Sequence, residues 1–389
     1  MEDDRNLLPP LPSGEEMERQ VLAEELAPYW LDPTQNYPEP HYLLQYNGVG
    51  FSPLGGIQAL SGQKKNGKTF VLAQLIAAIL GHGSERVEAY LNGLSVREDT
   101  LAWLGREPTV LYVDTEMEQL NSAKVLRRVH WLCQWEQTVP NERFRVLWLR
   151  QIEKTEKEAA YERRYSLIKK AIEWMQPTAV FIDGVRDIIG DFNNNEESSA
   201  LVTDLMAIAT KMNCCIWNVL HANPRMQNDD ESKMRGHLGT ELGNKVSDTF
   251  VSQKKKDSDT GRVTFTVKQQ DARGKDVDDW KFEIVDDAGS GLGIPRIMSR
   301  EQEVQPVQEI GRARVEELIA IIDKMAFRAN GKTYTEINDA LKEQGYTSNR
   351  KKKRIIDDAL AMGILSKAGN GRYYYDSIND KVDDNGLPF

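Results

Sequence analysis

Long hydrophobic runs are missing from this 389-residue sequence. The longest run lies near residues 71–80, where Gln74 interrupts it, and it is far shorter than the roughly 20 apolar residues that a membrane-spanning helix needs. We therefore expect a buried helix there and no membrane partner. The N-terminus, MEDDRNLLPP, has neither the basic start nor the apolar core of a secretory signal, which predicts a cytoplasmic protein.

Cysteine is also scarce, and the 50 basic residues are outnumbered by 60 acidic ones. Cys133, Cys214 and Cys215 match no metal-binding spacing, and the adjacent pair lies in an apolar run, so we expect all three to pack in a core. The net charge of -10 excludes a protein that coats nucleic acid along its whole surface. Any contact with nucleic acid has to be local.

The chain does contain short apolar runs that alternate with helix-like segments between about residues 50 and 298. This alternation predicts an α/β fold with a mostly parallel sheet and crossover helices. We assign strands to residues 57–60, 110–113, 145–149, 179–182 and 214–220. Three later runs, at 248–252, 263–267 and 280–285, indicate a hairpin-rich edge of the same sheet.

Composition divides the chain into five segments: an N-terminal arm at 1–45, the α/β domain at 46–298, a polar linker at 299–308, a small domain at 309–376 and an acidic tail at 377–389. The small domain has helical patterns at 314–327, 335–344 and 349–362. They are followed by a strand, an Asn-Gly turn and a strand within 366–375. Three helices and a β-hairpin predict a winged helix.

A phosphate-binding loop follows the first strand of the α/β domain. Gly62 and Gly67-Lys68-Thr69 form the pattern G-x-x-x-x-G-K-T between a predicted strand and a predicted helix. Backbone amides and the helix N-terminus attract phosphate, Lys68 reaches the β and γ phosphates, and Thr69 holds Mg²⁺. We therefore predict ATP and Mg²⁺ as cofactors, with nucleotide-binding residues Gly62, Gln63, Lys64, Lys65, Asn66, Gly67, Lys68, Thr69 and Phe70.

Acidic residues follow two other strands, and parallel strands bring their carboxyl ends to one edge of a sheet. Glu116, after the second strand, is our candidate for the general base that orients the attacking water, with Asp114 and Glu118 as rivals and a solvated acid as the alternative. Asp183 ends the run Ala-Val-Phe-Ile-Asp, an arrangement typical of a Walker B acid that binds Mg²⁺.

His221 ends another predicted strand at the same edge. A polar side chain there can act as a γ-phosphate sensor and pass a shift into the loop after it. A structural histidine with satisfied hydrogen bonds is the alternative.

Basic residues are concentrated in the small domain, where residues 311–376 hold 13 basic and 9 acidic residues. This local positive charge predicts a contact with DNA phosphates. We assign the contact to the start of the third helix and to the hairpin, with residues Arg350, Lys351, Lys352, Lys353, Arg354, Lys367 and Arg372. A solvated basic face or a protein-docking surface is the alternative.

The order of these motifs resembles the RecA-like P-loop ATPase family and, within it, the RepA-type ring helicases. The resemblance covers roughly residues 50–290 and implies a catalytic glutamate at Glu116 and a sensor histidine at His221. It also implies a lysine and an arginine that reach the neighbouring subunit's γ-phosphate, which Lys268 and Arg273 match. Arg235 is a competing candidate for that arginine.

The resulting hypothesis is a RecA-like ATPase that hydrolyses ATP between the subunits of a ring or filament and acts on single- or double-stranded DNA in replication or mobilisation. A second hypothesis is a DNA-binding regulator or mobilisation factor in which ATP only switches the oligomeric state. A small-molecule kinase is a weaker third, because no phosphate-acceptor lid is recognisable.

Overall fold

A computed structural model describes residues 13–222, 234–257, 261–287, 291–299, 331–361, 363–369 and 371–375. The predicted first helix of the small domain, at 314–327, lies outside these residues. So do the acidic tail and all of the linker except Ser299. The described residues up to His41 form one compact unit, and those from Tyr42 onward form another.

The strands and helices are as follows. The strands are β1 Tyr42–Tyr46, β2 Val49–Pro53, β3 Ile57–Gly62, β4 Leu94–Val96, β5 Val110–Asp114, β6 Phe144–Trp148, β7 Ala179–Asp183, β8 Cys215–His221, β9 Asp248–Lys256, β10 Val263–Ala272, β11 Trp280–Asp287, β12 Leu292–Ile297, β13 Leu365–Lys367 and β14 Tyr373–Tyr375. The helices are α1 Gly14–Leu26, α2 Lys68–Leu80, α3 Glu85–Tyr90, α4 Glu98–Leu104, α5 Gln119–Leu132, α6 Ala160–Met175, α7 Asn195–Met212, α8 Gly236–Lys245, α9 Tyr334–Glu343 and α10 Asn349–Ala361, with 3-10 turns at Ala27–Tyr29 and Val185–Ile188.

A nine-stranded sheet organises the larger unit, in the order β12-β11-β10-β9-β3-β8-β7-β5-β6. The six strands from β9 to β6 run parallel, and β10, β11 and β12 add an antiparallel edge. The predicted fold class, a mostly parallel sheet flanked by helices, is confirmed, and so is the hairpin-rich edge. Because the parallel strands point the same way, their carboxyl ends place Gly62, Asp114, Asp183 and His221 along one side.

Two apolar clusters cover the two faces of this sheet, as a parallel sheet requires. Buried side chains of α2, α3 and α5 pack on one face, and those of α6, α7 and α8 pack on the other. Helix α2 is the buried helix that the apolar run predicts, and every residue from Val71 to Leu80 is buried. Cys133, Cys214 and Cys215 are buried free thiols, as expected.

A small antiparallel sheet, in the order β2-β1-β4, packs beside α2 and has no counterpart in the strands predicted from sequence. Strand β1 begins at Tyr42, inside the segment assigned to the N-terminal arm, because Leu43 and Leu44 are both buried in the core around α2. Helix α1 starts with a capping box, in which Ser13 and Glu16 exchange hydrogen bonds, and it has no buried residue.

The C-terminal region has an apolar core of its own. Ile337 and Leu341 of α9 pack with Ile355 and Ile356 of α10 and with residues of the β13–β14 hairpin. Thr333 caps α9 through a capping box with Glu336. Two helices and a hairpin are thus described here, and the winged-helix assignment stays a prediction. Among the described helices of the whole chain, none has the length and apolarity that crossing a bilayer requires.

Candidate active site

The phosphate loop joins β3 to α2, and its glycines are required by close packing. A side chain at Gly62, where φ is +154°, would place its Cβ 2.6 Å from the Ser252 carbonyl oxygen. A side chain at Gly67, where φ is +84°, would lie 2.6 Å from the Phe265 ring. Both positions therefore accept only glycine, because the backbone conformation and the space each exclude a Cβ.

Strands β9 and β10 back the loop. The Ser252 hydroxyl donates a hydrogen bond to the Asn66 carbonyl oxygen, and the Phe265 ring stacks on Phe282 with a centroid distance of 4.9 Å. Strands β9 and β10 therefore support the phosphate loop by direct contact, and the sequence motif alone does not predict this contact.

Lys68 is the central cation of the site. Its Nζ donates to the carbonyl oxygens of Gly62 at 2.8 Å and Gln63 at 3.0 Å, and it lies 3.1 Å from Nδ1 of His221. An ammonium group has three hydrogens, so these three acceptors account for all of them. Burial lowers the pKa of Lys68, while Asp183 and Glu116 act in the opposite direction.

His221 connects Lys68 to Glu116. Its Nε2 lies 3.3 Å from Oε2 of Glu116. The ammonium group of Lys68 can only donate to Nδ1, and the ionised Glu116 carboxylate can only accept from Nε2. This hydrogen bond is the largest cause of the lowered pKa of Glu116, and the charges of Lys68 and Lys64 add to it, against burial. Glu116 is therefore ionised at neutral pH, as a general base must be.

The two rival acids have other contacts. Asp114 is fully buried, and its Oδ1 accepts from the backbone amides of Glu116 and Met117, both at 2.9 Å, while Oδ2 accepts from Ser122. Asp114 thus shapes the turn that carries Glu116. The Glu118 side chain is 74% exposed and pairs with Arg150 at 3.9 Å. Of the three acids, only Glu116 contacts His221.

Asp183 lies at the end of β7, directly beside Asp114 of β5 in the parallel register. Burial, followed by the charges of Asp114 and Glu116, raises the pKa of Asp183 to about 7, and Tyr112 and Lys68 act in the opposite direction. The Tyr112 hydroxyl donates to Oδ2 of Asp183 at 2.9 Å. A buried carboxyl group with this many acidic neighbours binds a cation readily, since a cation offsets the repulsion.

These residues fit ATP and Mg²⁺. The loop leaves space only for glycine at its two ends, Lys68 supplies a cation, and Asp183 supplies an oxygen ligand of the kind that Mg²⁺ prefers. Thr69 follows Lys68 in the first turn of α2, where a P-loop threonine belongs. The Phe70 ring packs against the apolar core, with the Arg128 guanidinium 4.3 Å above it, so a contact of Phe70 with nucleotide stays a prediction for its backbone.

A cavity of about 650 Å³ opens beside Glu116 and His221. Its wall includes Gln63 and Lys64 of the phosphate loop and is rich in guanidinium groups, with lining arginines Arg150, Arg164, Arg186 and Arg235. Arg164 donates to backbone carbonyl oxygens, including that of Ile152 at 3.0 Å. Arg186 and Arg235 both lie near the Phe192 ring, at 4.0 and 5.9 Å from its centre. The cavity therefore favours anions.

Lys268 and Arg273 are not among the residues that line the cavity beside the phosphate loop. They line a separate cavity of about 1140 Å³ between α8 and strands β9 and β10. Arg273 donates from Nη2 to the Lys245 carbonyl oxygen at 3.1 Å. Arg235, the competing candidate, lies instead in the cavity of Glu116 and His221.

The predicted DNA-contacting residues differ in exposure. Lys351, Lys353 and Arg354 are exposed on α10, whereas Lys352 is only 5% exposed, so we leave Lys352 out of the contact surface. The side chain of Arg350 lies outside the described part. On the hairpin, the Lys367 ammonium lies 5.5 Å from the Tyr373 ring centre, and Arg372 donates to the Gly331 carbonyl oxygen.

Sequence reasoning missed two residues of the site. Tyr112 supports Asp183, and the Thr115 hydroxyl joins the acidic turn to the next strand by hydrogen bonds to Asp187 and to backbone oxygens of Asp183 and Gly184. A signal for Tyr112 was present, because a residue two positions before Asp114 on a strand shares its face. Thr115 gave no comparable signal.

Comparison with known proteins places the chain in a family. A family model described as AAA domain matches residues 31–225, half of the chain, and this span includes the phosphate loop, Glu116, Asp183 and His221. No curated protein matches the sequence. Among solved structures, a KaiC-like protein from the hyperthermophilic archaeon Pyrococcus horikoshii OT3 is 12% identical, with a TM-score of 0.39 over 63% of this chain and 91% of that chain. The chain belongs to the AAA domain family of P-loop ATPases.

Proposed function

We propose that this protein is a DNA-associated ATPase of the RecA-like and RepA-like type, which hydrolyses ATP between subunits and acts on DNA in replication or mobilisation. The proposal of ATP hydrolysis rests on one observation. Lys68 contacts His221, His221 contacts Glu116, and the buried carboxyl group of Asp183 lies next to them. These groups are those that phosphoryl transfer to water requires.

Each residue has a separate role in this proposal. The loop amides and Lys68 bind the phosphates, and Glu116 orients and accepts a proton from the attacking water. Thr69 and Asp183 would hold Mg²⁺, which neutralises charge on the phosphates when it is bound. His221 couples the two halves of the site, because one ring nitrogen contacts the phosphate-binding lysine and the other contacts the base.

The DNA half of the proposal is supported by charge. Exposed Lys351, Lys353 and Arg354 lie together at the start of α10, in a region of net positive charge within an acidic chain. In a winged helix, the corresponding helix enters the major groove. The guanidinium-rich cavity beside Glu116 offers a second place where phosphate could bind close to the hydrolytic centre.

The subunit-sharing part is supported by the position of Lys268 and Arg273. Both side chains lie in a cavity that contains none of the residues of the chain's own phosphate loop. Because this cavity is lined by residues outside the chain's own phosphate loop, we assign the two cations to the ATP of a neighbouring subunit.

Turnover measurements test this function. We expect purified protein to hydrolyse ATP with Mg²⁺, and single-stranded DNA to raise the rate several-fold. Lys68→Ala protein, prepared identically, is the control for contaminating ATPases. No hydrolysis by the unmodified protein, with or without DNA, would contradict the proposal.

A second candidate is an ATP-switched DNA-binding regulator. The separate apolar core of α9, α10 and the hairpin favours it, since a duplex-binding module does not need a motor. In that case duplex DNA should bind in an ATP-dependent way, while single-stranded DNA should leave the turnover rate unchanged.

A further inference from the structure

Tyr112 is a buried residue whose hydroxyl group contacts Asp183 and to which the proposed function gives no task of its own. Its side chain is 0% exposed in the middle of β5, between strands β6 and β7 of the sheet. Its hydroxyl donates to Oδ2 of Asp183 at 2.9 Å. Among the described residues, this is the one hydrogen bond that the Asp183 carboxyl group accepts.

The neighbouring acid is fixed by different groups. Asp114 lies beside Asp183 in the register, but backbone amides and Ser122 take up both of its oxygens. The charge of Asp114 therefore repels the Asp183 carboxylate, but within the described part of the chain Asp114 forms no hydrogen bond that would orient it. A carboxyl group on a strand end can rotate about its Cβ–Cγ bond, and the rotation decides which oxygen faces a ligand.

We propose that Tyr112 is a positioning residue for Mg²⁺: its hydroxyl holds one oxygen of Asp183 so that the other oxygen faces the metal. The inference rests on the proposed Mg²⁺–ATP site. It adds one requirement to that site, which is that the buried Tyr112 hydroxyl group raises the affinity for Mg²⁺. Hydrogen bonds from such outer groups to metal ligands change metal affinity by about tenfold or more.

The test measures Mg²⁺ dependence without turnover. A fluorescent, non-hydrolysable ATP analogue is titrated in EDTA and then at increasing Mg²⁺ concentrations. Tyr112→Phe removes the hydroxyl and keeps the ring. We expect it to bind the analogue in EDTA as the unmodified protein does, and to need about tenfold more Mg²⁺ to reach half of the metal-dependent increase in binding.

Tyr165→Phe is the matched control. Tyr165 also donates its hydroxyl to a carboxylate, that of Asp204 at 2.7 Å, but it lies on α6 outside the site. Its Mg²⁺ midpoint should equal that of the unmodified protein. In an Asp183→Asn background, Tyr112→Phe should cause no further shift, because the oxygen that the hydroxyl orients no longer belongs to a carboxylate.

A Tyr112→Phe midpoint within twofold of the unmodified protein would overturn the inference, and so would an equal shift in the Asp183→Asn background. Should Tyr112→Phe not fold, as judged by circular dichroism, Tyr112→Met fills a similar volume without a donor and the same criteria apply. Absence of any Mg²⁺-dependent binding by the unmodified protein would instead contradict the proposed function itself.

Discussion

At the scale of single residues, hydrolysis depends on one base and one phosphate-binding cation that are linked through an imidazole. Glu116 is the acid in contact with His221, and Lys68 contacts the other nitrogen of the same ring. The pairing keeps Glu116 ionised and places it next to the phosphate loop. Binding and hydrolysis should therefore be separable by mutation.

Glu116→Gln is expected to retain ATP binding and to lower the turnover rate by about 100-fold or more, the usual contribution of a general base. Lys68→Ala is expected to weaken ATP binding as well as abolish turnover. Binding is measured with labelled ATP and turnover by phosphate release. Glu118→Gln, at an exposed acid two residues away, is the matched control and should remain active. A Glu116→Gln protein with normal turnover would show that another group is the base.

Asp183 should make stability depend on pH in an unusual direction for a carboxyl group. Its pKa is raised from 3.8 to about 7 in the folded state. Between about pH 4 and pH 7, the folded state therefore holds a proton that the unfolded state has lost. The resulting contribution to the free energy of unfolding is largest below about pH 4 and is lost as the pH rises to about 7. Asp183→Asn removes the cost of the charge while keeping an oxygen for Tyr112.

We therefore expect Asp183→Asn to raise the midpoint of thermal unfolding more at pH 8 than at pH 5, by several degrees, and to abolish hydrolysis. Unfolding is followed by circular dichroism at both pH values without nucleotide. Asp204→Asn, at the partly exposed carboxylate bound by Tyr165, provides the comparison. An equal effect of Asp183→Asn at the two pH values would contradict the raised pKa.

At the scale of elements, helix α10 has one buried face and one exposed face. Ile355, Ile356 and Ala359 are buried in the small core, and Lys351 and Lys353 are exposed on the first turns. Exposed lysines can be changed without loss of apolar packing, which makes α10 a suitable place to test DNA binding.

Lys351→Ala with Lys353→Ala is expected to weaken duplex binding and to reduce the slope of log affinity against log salt by about 0.9 for each DNA phosphate that the variant no longer neutralises. Binding is measured by fluorescence anisotropy at several salt concentrations. Lys124→Ala with Lys170→Ala changes the net charge equally at exposed positions of α5 and α6 and should leave the slope unchanged. An unchanged slope in the α10 variant would identify its lysines as solvated surface.

Most elements of the larger unit could be predicted from sequence, because each buried parallel strand is a short apolar run flanked by helical patterns. All eight predicted strands of the main sheet are present, and six of them begin at the predicted residue. Strands β6 and β8 begin one residue away from the prediction, and β9 and β10 extend four and five residues beyond their predicted ends. Strand β4 was missed because three residues carry too little pattern, and β12 because it contains Gly293 and Pro295, which an edge strand tolerates. Motifs located the acids, but not the contacts that orient them.

At the scale of the whole molecule, the proposal requires assembly. Lys268 and Arg273 line a cavity that is separate from the chain's own phosphate loop, so they can act only if a second subunit brings its ATP to them. Catalysis shared in this way makes the rate depend on protein concentration and permits complementation between inactive subunits.

Two measurements test assembly. Mass in solution should rise from that of a single 44.2 kDa chain to a ring or filament when a non-hydrolysable ATP analogue and Mg²⁺ are added. Arg273→Ala protein and Lys68→Ala protein should each be inactive alone, and their mixture should recover part of the activity, since some interfaces then contain an intact pair. A single-chain mass under every condition, or no recovery on mixing, would contradict shared catalysis.

The surface behind the phosphate loop has a consequence for the minimal length of a working protein. Ser252 and Phe265, which close the space beside Gly62 and Gly67, come later in the chain than the last recognisable motif at His221. A fragment ending soon after His221 would contain the phosphate loop, Glu116, Asp183 and His221 and still leave the loop open on one side. We therefore expect such a truncated protein to bind ATP more weakly than the full-length chain.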